Sequence, residues 1–314
     1  MKQKDEFLAK LKEIYFGEDL KLCEKAFEIE KRKTCFRINT LKSDESEIFE
    51  VLGKQGLKAK KIVFLKNGYF LENGKEKDLW DLNIFKDGKI YLQSLSSQIP
   101  VDFLGLEFGD KILDITASPG GKTSQAQSLL NNSGEIKAID NNQIRIDKLK
   151  FTLERQGIKN VEIIKTDARS LLEKRKDFVE YFDKIIADLP CSAEGKFNFK
   201  KEKSFGYWKQ EIVNKNAKLQ KDILKNIVPM LKKGGELIYS TCTISPEENE
   251  DIVHFLLCNY DLEILKLDFD YKFARNGLKN FGKKIFKKEI SESVRRILPS
   301  EESEGFFIAK FRKK

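Results

Sequence analysis

Histidine is almost missing from this 314-residue chain, which has only His254. One imidazole leaves almost no room for mechanisms built on a histidine base or on several histidine metal ligands. The five cysteines, Cys23, Cys35, Cys191, Cys242 and Cys258, are odd in number and widely spaced, and no two form a CxxC pair. Neither a disulfide framework nor a zinc site is expected. No apolar run approaches the roughly 20 residues that a membrane helix needs. Residues 1–12 are charged and lack the apolar core of a secretion signal. The expectation is a cytoplasmic protein with no membrane and no metal. Internal repeats and low-complexity linkers are also absent.

What is present reads as a soluble globular chain: 40% hydrophobic and 35% charged residues. The length suits one large domain plus a smaller one. The formal charge is +9 and the pI about 9.0. Such a balance favours an anionic partner, nucleic acid first, although a lysine-rich surface also serves solubility. Residues 1–108 hold 20 Lys/Arg against 19 Asp/Glu, which leaves 39 against 31 for residues 109–314. The electrostatic footprint therefore belongs to the larger part.

The pattern divides the chain at the same place. Residues 2–30 open with helical apolar spacing at Phe7, Leu8, Leu11, Ile14 and Tyr15. Residues 34–41 alternate like a strand, 48–56 suit a short helix, and 62–65 and 69–71 suit strands around an Asn-Gly turn. Residues 1–108 are thus expected to be an α+β module. From 109 onward strands and helices alternate. Strands are expected at 111–115, 135–139, 161–165, 184–187, 236–239 and 305–310. Helices are expected up to 130 and at 143–156, 208–231 and 247–259. This is a doubly wound α/β sheet of Rossmann-like type, in which ligands bind outside the carboxyl ends of the strands.

Residues 114–123 read DITASPGGKT, a strand feeding a small-residue turn that opens a helix. Gly120 and Gly121 allow close backbone approach to a ligand. Gly121-Lys122-Thr123 matches the end of a phosphate loop, but that pattern needs glycine where Thr116 stands. No GxGxxG marks a nicotinamide enzyme. An S-adenosylmethionine turn fits better. Asp140 ends the second strand, where a carboxylate takes ribose hydroxyls, and Asp167 follows the third, where one can accept from an adenine amino group. Each aspartate also suits a helix cap. Three acids (Asp114, Asp140, Asp167) at successive strand ends favour the cofactor.

Asp188-Leu-Pro-Cys191 and Tyr239-Ser-Thr-Cys242 each follow an apolar strand. Either cysteine alone could be structural. Two of them at strand ends, beside an acid and a cofactor turn, suggest thiol chemistry. Carbon 5 of cytosine becomes nucleophilic when a thiolate adds to C6, and a base must then remove the C5 proton so that the thiol can leave. Asp188 at the N3 edge would favour the adduct, and Lys122 is expected close enough to stabilise charge.

These segments resemble the RsmB/NOP2/Sun family of RNA cytosine-C5 methyltransferases. The likeness rests on residues 114–123, 140–145, 167–169, 183–195 (DKIIADLPCSAEG) and 239–250 (YSTCTISPEENE). Residues 91–100 and 296–309 add to it. It runs from about residue 34 to the C-terminus. It implies a class I S-adenosylmethionine-dependent methyltransferase with a smaller N-terminal RNA-recognition-like domain. By resemblance, Cys242 is the nucleophile, Cys191 assists proton removal or product release, and Asp188 contacts the base and the methyl-donor end. Thr116, Ala117, Ser118, Pro119, Gly120, Gly121, Lys122, Asp140, Arg145, Asp167 and Asp188 hold the cofactor. The implied partner is RNA, ribosomal or transfer, and monomer is the default state. This chain departs from the family at Ser118, usually Ala, and at Ala193, usually Gly. No added PUA or NusB-like domain is expected. Target choice thus falls to the N-terminal module and to lysines such as Lys196, Lys200, Lys201 and Lys203, which equally suit a solvated loop. Two rivals remain. One is a DNA cytosine methyltransferase using Cys191, and the other is a non-catalytic RNA-binding assembly factor on the same fold.

Overall fold

A computed structural model describes residues 2–314. The opening stretch folds as two helices rather than one, α1 (Lys2–Ile14) and α2 (Gly17–Phe27). A small antiparallel sheet follows, from β1 (Cys35–Ile38), β2 (Ala59–Lys61), β3 (Gly68–Leu71) and β4 (Ile90–Leu92), in the order β2-β3-β1-β4. Helix α3 (Glu45–Lys54) covers it, capped where the Asp44 carboxylate accepts from Glu47 N at 2.9 Å. Short helices α4 (Glu76–Trp80) and α5 (Asn83–Lys86) complete this part. The strand expected at 62–65 is instead a turn. Leu65 N donates to Ile62 O, Ile62 and Leu65 are buried, and Val63 between them is exposed. An apolar run thus inserts two side chains without pairing as a strand.

Helix α6 (Leu95–Phe103) leads into the large sheet. Its parallel strands are β5 (Lys111–Asp114), β6 (Glu135–Asp140), β7 (Val161–Lys165), β8 (Phe182–Asp188) and β9 (Leu231–Thr241). Their crossovers carry α7 (Gly121–Leu129), α8 (Gln143–Gln156), α9 (Leu171–Lys174) and α10 (Gln210–Ile227). Helix α10 ends before the expected residue 231 because Pro229 lies in a 3-10 turn and Leu231 already begins β9. Helix α11 (Glu250–Asn259) starts after a 3-10 turn at Pro246–Glu248. The C-terminal part adds β10 (Leu262–Leu265), β11 (Ala274–Asn276), a hairpin of β12 (Asn280–Phe281) and β13 (Lys284–Ile285), α12 (Lys288–Ser293), β14 (Arg295–Ile297) and β15 (Phe306–Lys313). Strand β15 runs antiparallel to β9, and the order is β11-β14-β15-β9-β8-β5-β6-β7, with β10 also on β15.

The strand sequences explain the layers. Leu113, Ile185, Leu237 and Phe307 share one apolar cluster with Leu224 of α10 and Leu256 of α11. Their neighbours Ile112, Ile186, Ile238 and Ile308 share another with Ile99 of α6 and Ala126 of α7. Adjacent residues point to opposite faces, so a sheet covered on both faces needs continuous apolar runs. A third cluster is aromatic. Phe7 and Phe27 of α1 and α2 pack against Phe197, Phe205 and Trp208 of the larger part. The first two helices therefore brace the loop after β8. Arg37 of β1 reaches across to α7, donating from Nη2 to Ser124 Oγ at 2.7 Å and from Nε to Gln93 Oε1 at 2.9 Å.

Candidate active site

Strand β5 is where the order reverses, since β6 lies on one side and β8 on the other. Loops leaving such a strand diverge and open a crevice. The turn after β5 contains the cis bond Ser118–Pro119 and ends at Gly120, whose φ of +104° suits glycine. A Cβ at Gly120 would lie 3.0 Å from Leu149 Cδ1 and 3.1 Å from Thr152 Cγ2. Gly120 therefore serves the turn and the packing of α8, and it lines neither cavity described below.

Two adjoining cavities share Thr116, Arg145 and Pro190. The first, about 580 Å³, holds Asp140 and Asp167 with the apolar Ile115, Leu219 and Ile223. The second, about 450 Å³, holds Ala117, Ser118, Pro119, Gly121, Lys122, Asp188, Cys191 and Cys242. Asp140 accepts from Asn142 N at 3.1 Å and from Arg145 Nε at 3.0 Å. Arg145 Nη2 also donates to Ser118 O at 3.2 Å, tying the two rims together. Asp167 accepts from Arg169 N at 2.9 Å, as a cap would, and its ion pair with the Arg169 side chain holds its carboxyl below the usual range. Asp114 turns inward to accept from Thr123 Oγ1 at 2.6 Å, and burial raises its carboxyl to about 6. It braces α7 and is not in either cavity, which corrects its reading as a cofactor acid.

The carboxylate of Asp188 is held from two sides. Lys122 Nζ donates to Oδ2 at 2.6 Å and Ser240 Oγ to Oδ1 at 2.7 Å. Lys122 also reaches Ser97 Oγ of α6 at 2.8 Å. Cys191 and Cys242, on the loops after adjacent strands β8 and β9, bring their sulfurs to 3.3 Å. Their surroundings are unequal. The thiol hydrogen bond from Cys191, and then the ammonium of Lys196, pull the Cys242 thiol below its ordinary value. That same hydrogen bond, burial and the facing Glu248 push Cys191 up. These opposite directions favour charge on Cys242 and the proton on Cys191.

Buried polar groups hold both loops. Glu248 accepts from Ser192 N at 3.1 Å and Gln220 Nε2 at 2.8 Å, and Gln220 also holds Pro190 O. Glu194 accepts from Trp208 Nε1, Thr243 Oγ1 and Ser245 Oγ, each at 2.7 Å. Arg296 pairs with Glu250 and donates to Ile244 O at 2.8 Å. Gly195 N donates to Cys242 O at 3.0 Å, and Gly305 N to Gly195 O at 3.0 Å. Sequence reasoning did not find Ser97, Ser240, Glu194 or Glu248 as parts of the site. The acids carried a faint signal, since both lie inside the matched segments next to the cysteines. Lys196 was named only as a member of a surface run, yet it lines the cavity with Cys242. Lys200, Lys201 and Lys203 lie exposed outside it.

Strand order, the glycine turn at the reversal strand and the loops that converge there define a class I methyltransferase. Residues 101–312 match the family model of the 16S rRNA methyltransferase RsmB/F, and the chain belongs to that family. Ribosomal RNA small subunit methyltransferase F of Vibrio vulnificus is 32% identical over 281 residues, which cover 88% of this chain and 57% of the relative. This chain thus spans little more than half the length of that curated relative. A methyltransferase homologue from Pyrococcus horikoshii superposes with a TM-score of 0.83 at 33% identity, covering 98% of this chain and 94% of that one. NSun6 from Pyrococcus horikoshii, solved with SFG, shares the fold with a TM-score of 0.81 at 24% identity, over 98% and 97% of the two chains. Among the described residues, no helix is long and apolar enough to cross a membrane.

Proposed function

We propose that this chain transfers a methyl group from S-adenosylmethionine to carbon 5 of a cytosine in RNA. The observation that carries the reading is the cysteine pair, sulfurs 3.3 Å apart, facing the Lys122–Asp188 ion pair in one cavity. Family membership supports it, and the name of the Vibrio relative makes small-subunit ribosomal RNA the first substrate to test.

The donor set fits the methyl donor. Asp140 suits ribose hydroxyls, Asp167 an adenine amino group, and Ile115, Leu219 and Ile223 an adenine face. Thr116, Ala117, Ser118, Pro119, Gly121, Lys122, Arg145 and Asp188 lie toward the cysteines, where the methyl-bearing end would be held, and Gly120 shapes the turn that carries them. When bound, the cofactor supplies an electrophilic methyl group. The protein groups do the rest. The Cys242 thiolate bonds to C6, which makes C5 nucleophilic toward that methyl. Asp188, fixed by Lys122 and Ser240, faces the base edge and favours the electron shift. A base then takes the C5 proton, the freed C–H electron pair restores the C5–C6 double bond, and the C6–sulfur bond breaks to return the thiolate; Cys191 stands 3.3 Å from that sulfur to assist. The unequal surroundings of the thiols favour Cys242 as nucleophile over Cys191, the choice a DNA cytosine enzyme would make.

Residues 1–108 serve in this reading as an RNA-binding module beside a catalytic part at 109–314, whose basic excess attracts phosphates. The test is incubation with methyl-labelled S-adenosylmethionine and total RNA from cells lacking the gene, with Cys242→Ala run alongside. Label confined to one RNA band and lost in the variant supports the proposal and names the RNA. Label retained by Cys242→Ala but lost in Cys191→Ala moves the reading to the DNA-type nucleophile. RNA binding without label on any RNA leaves an assembly factor.

A further inference from the structure

We infer that Lys196 is the positioning residue that keeps Cys242 charged as a thiolate before substrate binds. The inference rests on the proposed thiolate chemistry of Cys242.

The backbone presents Lys196 to the cavity in a fixed way. It ends the 3-10 turn Glu194–Lys196, closed by Lys196 N to Ala193 O at 3.0 Å and Phe197 N to Glu194 O at 3.1 Å. The residue before it, Gly195, donates to the carbonyl of Cys242 itself. The residue after it, Phe197, is buried, with its ring 4.9 Å from Phe7. A turn anchored on both sides places Lys196, solvent-exposed itself, among the residues that line the cavity with Cys242.

The charges around that sulfur leave the role open to this lysine. Cys242 is faced by Cys191 from the loop after β8, by Asp188 at the end of β8 and by Glu304 from the loop before β15. Behind Cys191 stand Glu248 and Tyr207. All the ionisable groups among these are neutral or negative. The other cations nearby are engaged elsewhere: Lys122 is paired with Asp188, Arg145 with Asp140, and Arg32 donates to the carbonyl of Gly195. An anionic sulfur among carboxylates needs a counter-charge, and Lys196 shares its cavity wall. The reciprocal effect is present: the largest influence raising the Lys196 ammonium is Cys242, followed by Glu304.

The test reads the thiol directly. Wild-type protein, Lys196→Met and Lys196→Arg are alkylated with iodoacetamide across a pH series, and each cysteine is followed by peptide mass spectrometry. Exposed Cys258 serves as internal standard. In Lys196→Met the midpoint for Cys242 is expected to rise by about one pH unit, so alkylation below it slows about tenfold. Cys258 is expected to stay unchanged and Lys196→Arg to restore the wild-type midpoint. An unchanged Cys242 midpoint in Lys196→Met overturns the inference, as does an equal rise in the arginine variant. If the methionine variant fails to fold by circular dichroism, Lys196→Gln is measured in its place. Methyl transfer is assayed separately. A midpoint shift in a protein that methylates no RNA sinks the proposed function and spares Lys196, whereas intact methylation without a shift does the reverse.

Discussion

Ala193 holds a left-handed backbone, φ 57°, directly after the Cys191-Ser192 pair. A side chain in that region costs roughly 1–2 kcal/mol, part of which glycine loses again as extra freedom when unfolded, about 0.5–1 kcal/mol. Ala193→Gly is expected to stabilise the protein by about 0.5–1 kcal/mol, read as a higher urea midpoint at unchanged slope; a lower midpoint contradicts it. The family's usual glycine here has the same physical reason. Glu248 gives a pH dependence. Burial, the largest influence, raises its carboxyl from 4.5 to about 8. Between those values the folded chain keeps a proton that the unfolded chain has released. Its contribution is therefore complete at acid pH and is lost as pH rises toward 8, by an amount of a few kcal/mol at about 1.4 per unit. Glu248→Gln carries no titrating proton and keeps polar contacts with Ser192 and Gln220. Urea unfolding at pH 5, 6, 7 and 8 is expected to show a smaller fall in stability for the variant. Parallel curves would remove Glu248 as the cause. At this scale sequence was legible where chemistry is rare: Cys191, Cys242 and Asp188 stand out and share one cavity. It was not legible where direction decides. Nothing in a sequence distinguishes Asp114, turned into the core, from Asp140 at the cavity, or Lys196 at the cavity from Lys200 outside it.

Helix α8 was readable to the residue because its ends carry local signals. Asn142 accepts from Arg145 N, and Gly157 takes the left-handed closing position. The parallel strands were readable because both their faces are buried. Helix α6 was not, since Pro100 lies inside it and argues against a helix. The cost was Ser97, which holds Lys122. The loop after β8 crosses the segment before β15 at close range, with Gly305 N donating to Gly195 O. A Cβ at Gly195 would lie 2.0 Å from Gly305 O, a rigid backbone atom. Gly195→Ala must separate the two segments and strain the hydrogen bond from Gly195 N to Cys242 O. The expected loss is about 1–3 kcal/mol of stability. Methyl transfer should fall by more than the unfolded fraction explains, because the sulfur moves with its carbonyl. Thermal unfolding and turnover measured on one sample decide this, and turnover at the wild-type level would show that the crossing does not position Cys242.

At the scale of the whole molecule, the first helix stabilises a loop nearly two hundred residues away. Phe7 is fully buried, edge-on to Phe27, Phe197 and Trp208. Phe197 follows Lys196 directly, and Trp208 donates to Glu194, which in turn anchors Thr243 beside Cys242. The apolar spacing of α1 was legible in the sequence, but its partner was not, because periodicity gives a face and not what covers it. Removing the ring from a buried aromatic costs about 3–5 kcal/mol. Phe7→Ala is expected to lose stability in that range, and the damage should spread unevenly. Helices α1 and α2 and the loop after β8 rest on the aromatic cluster, whereas β5, β6 and α8 rest on other apolar clusters. Hydrogen exchange is expected to rise in residues 2–27 and 194–208 while 111–114 and 135–140 keep their protection. Cofactor binding should thus weaken less than methyl transfer. Uniform loss of protection along the chain would mean that the aromatic cluster unfolds only with the whole protein, and that its support of the cysteine loops is no more than general stability.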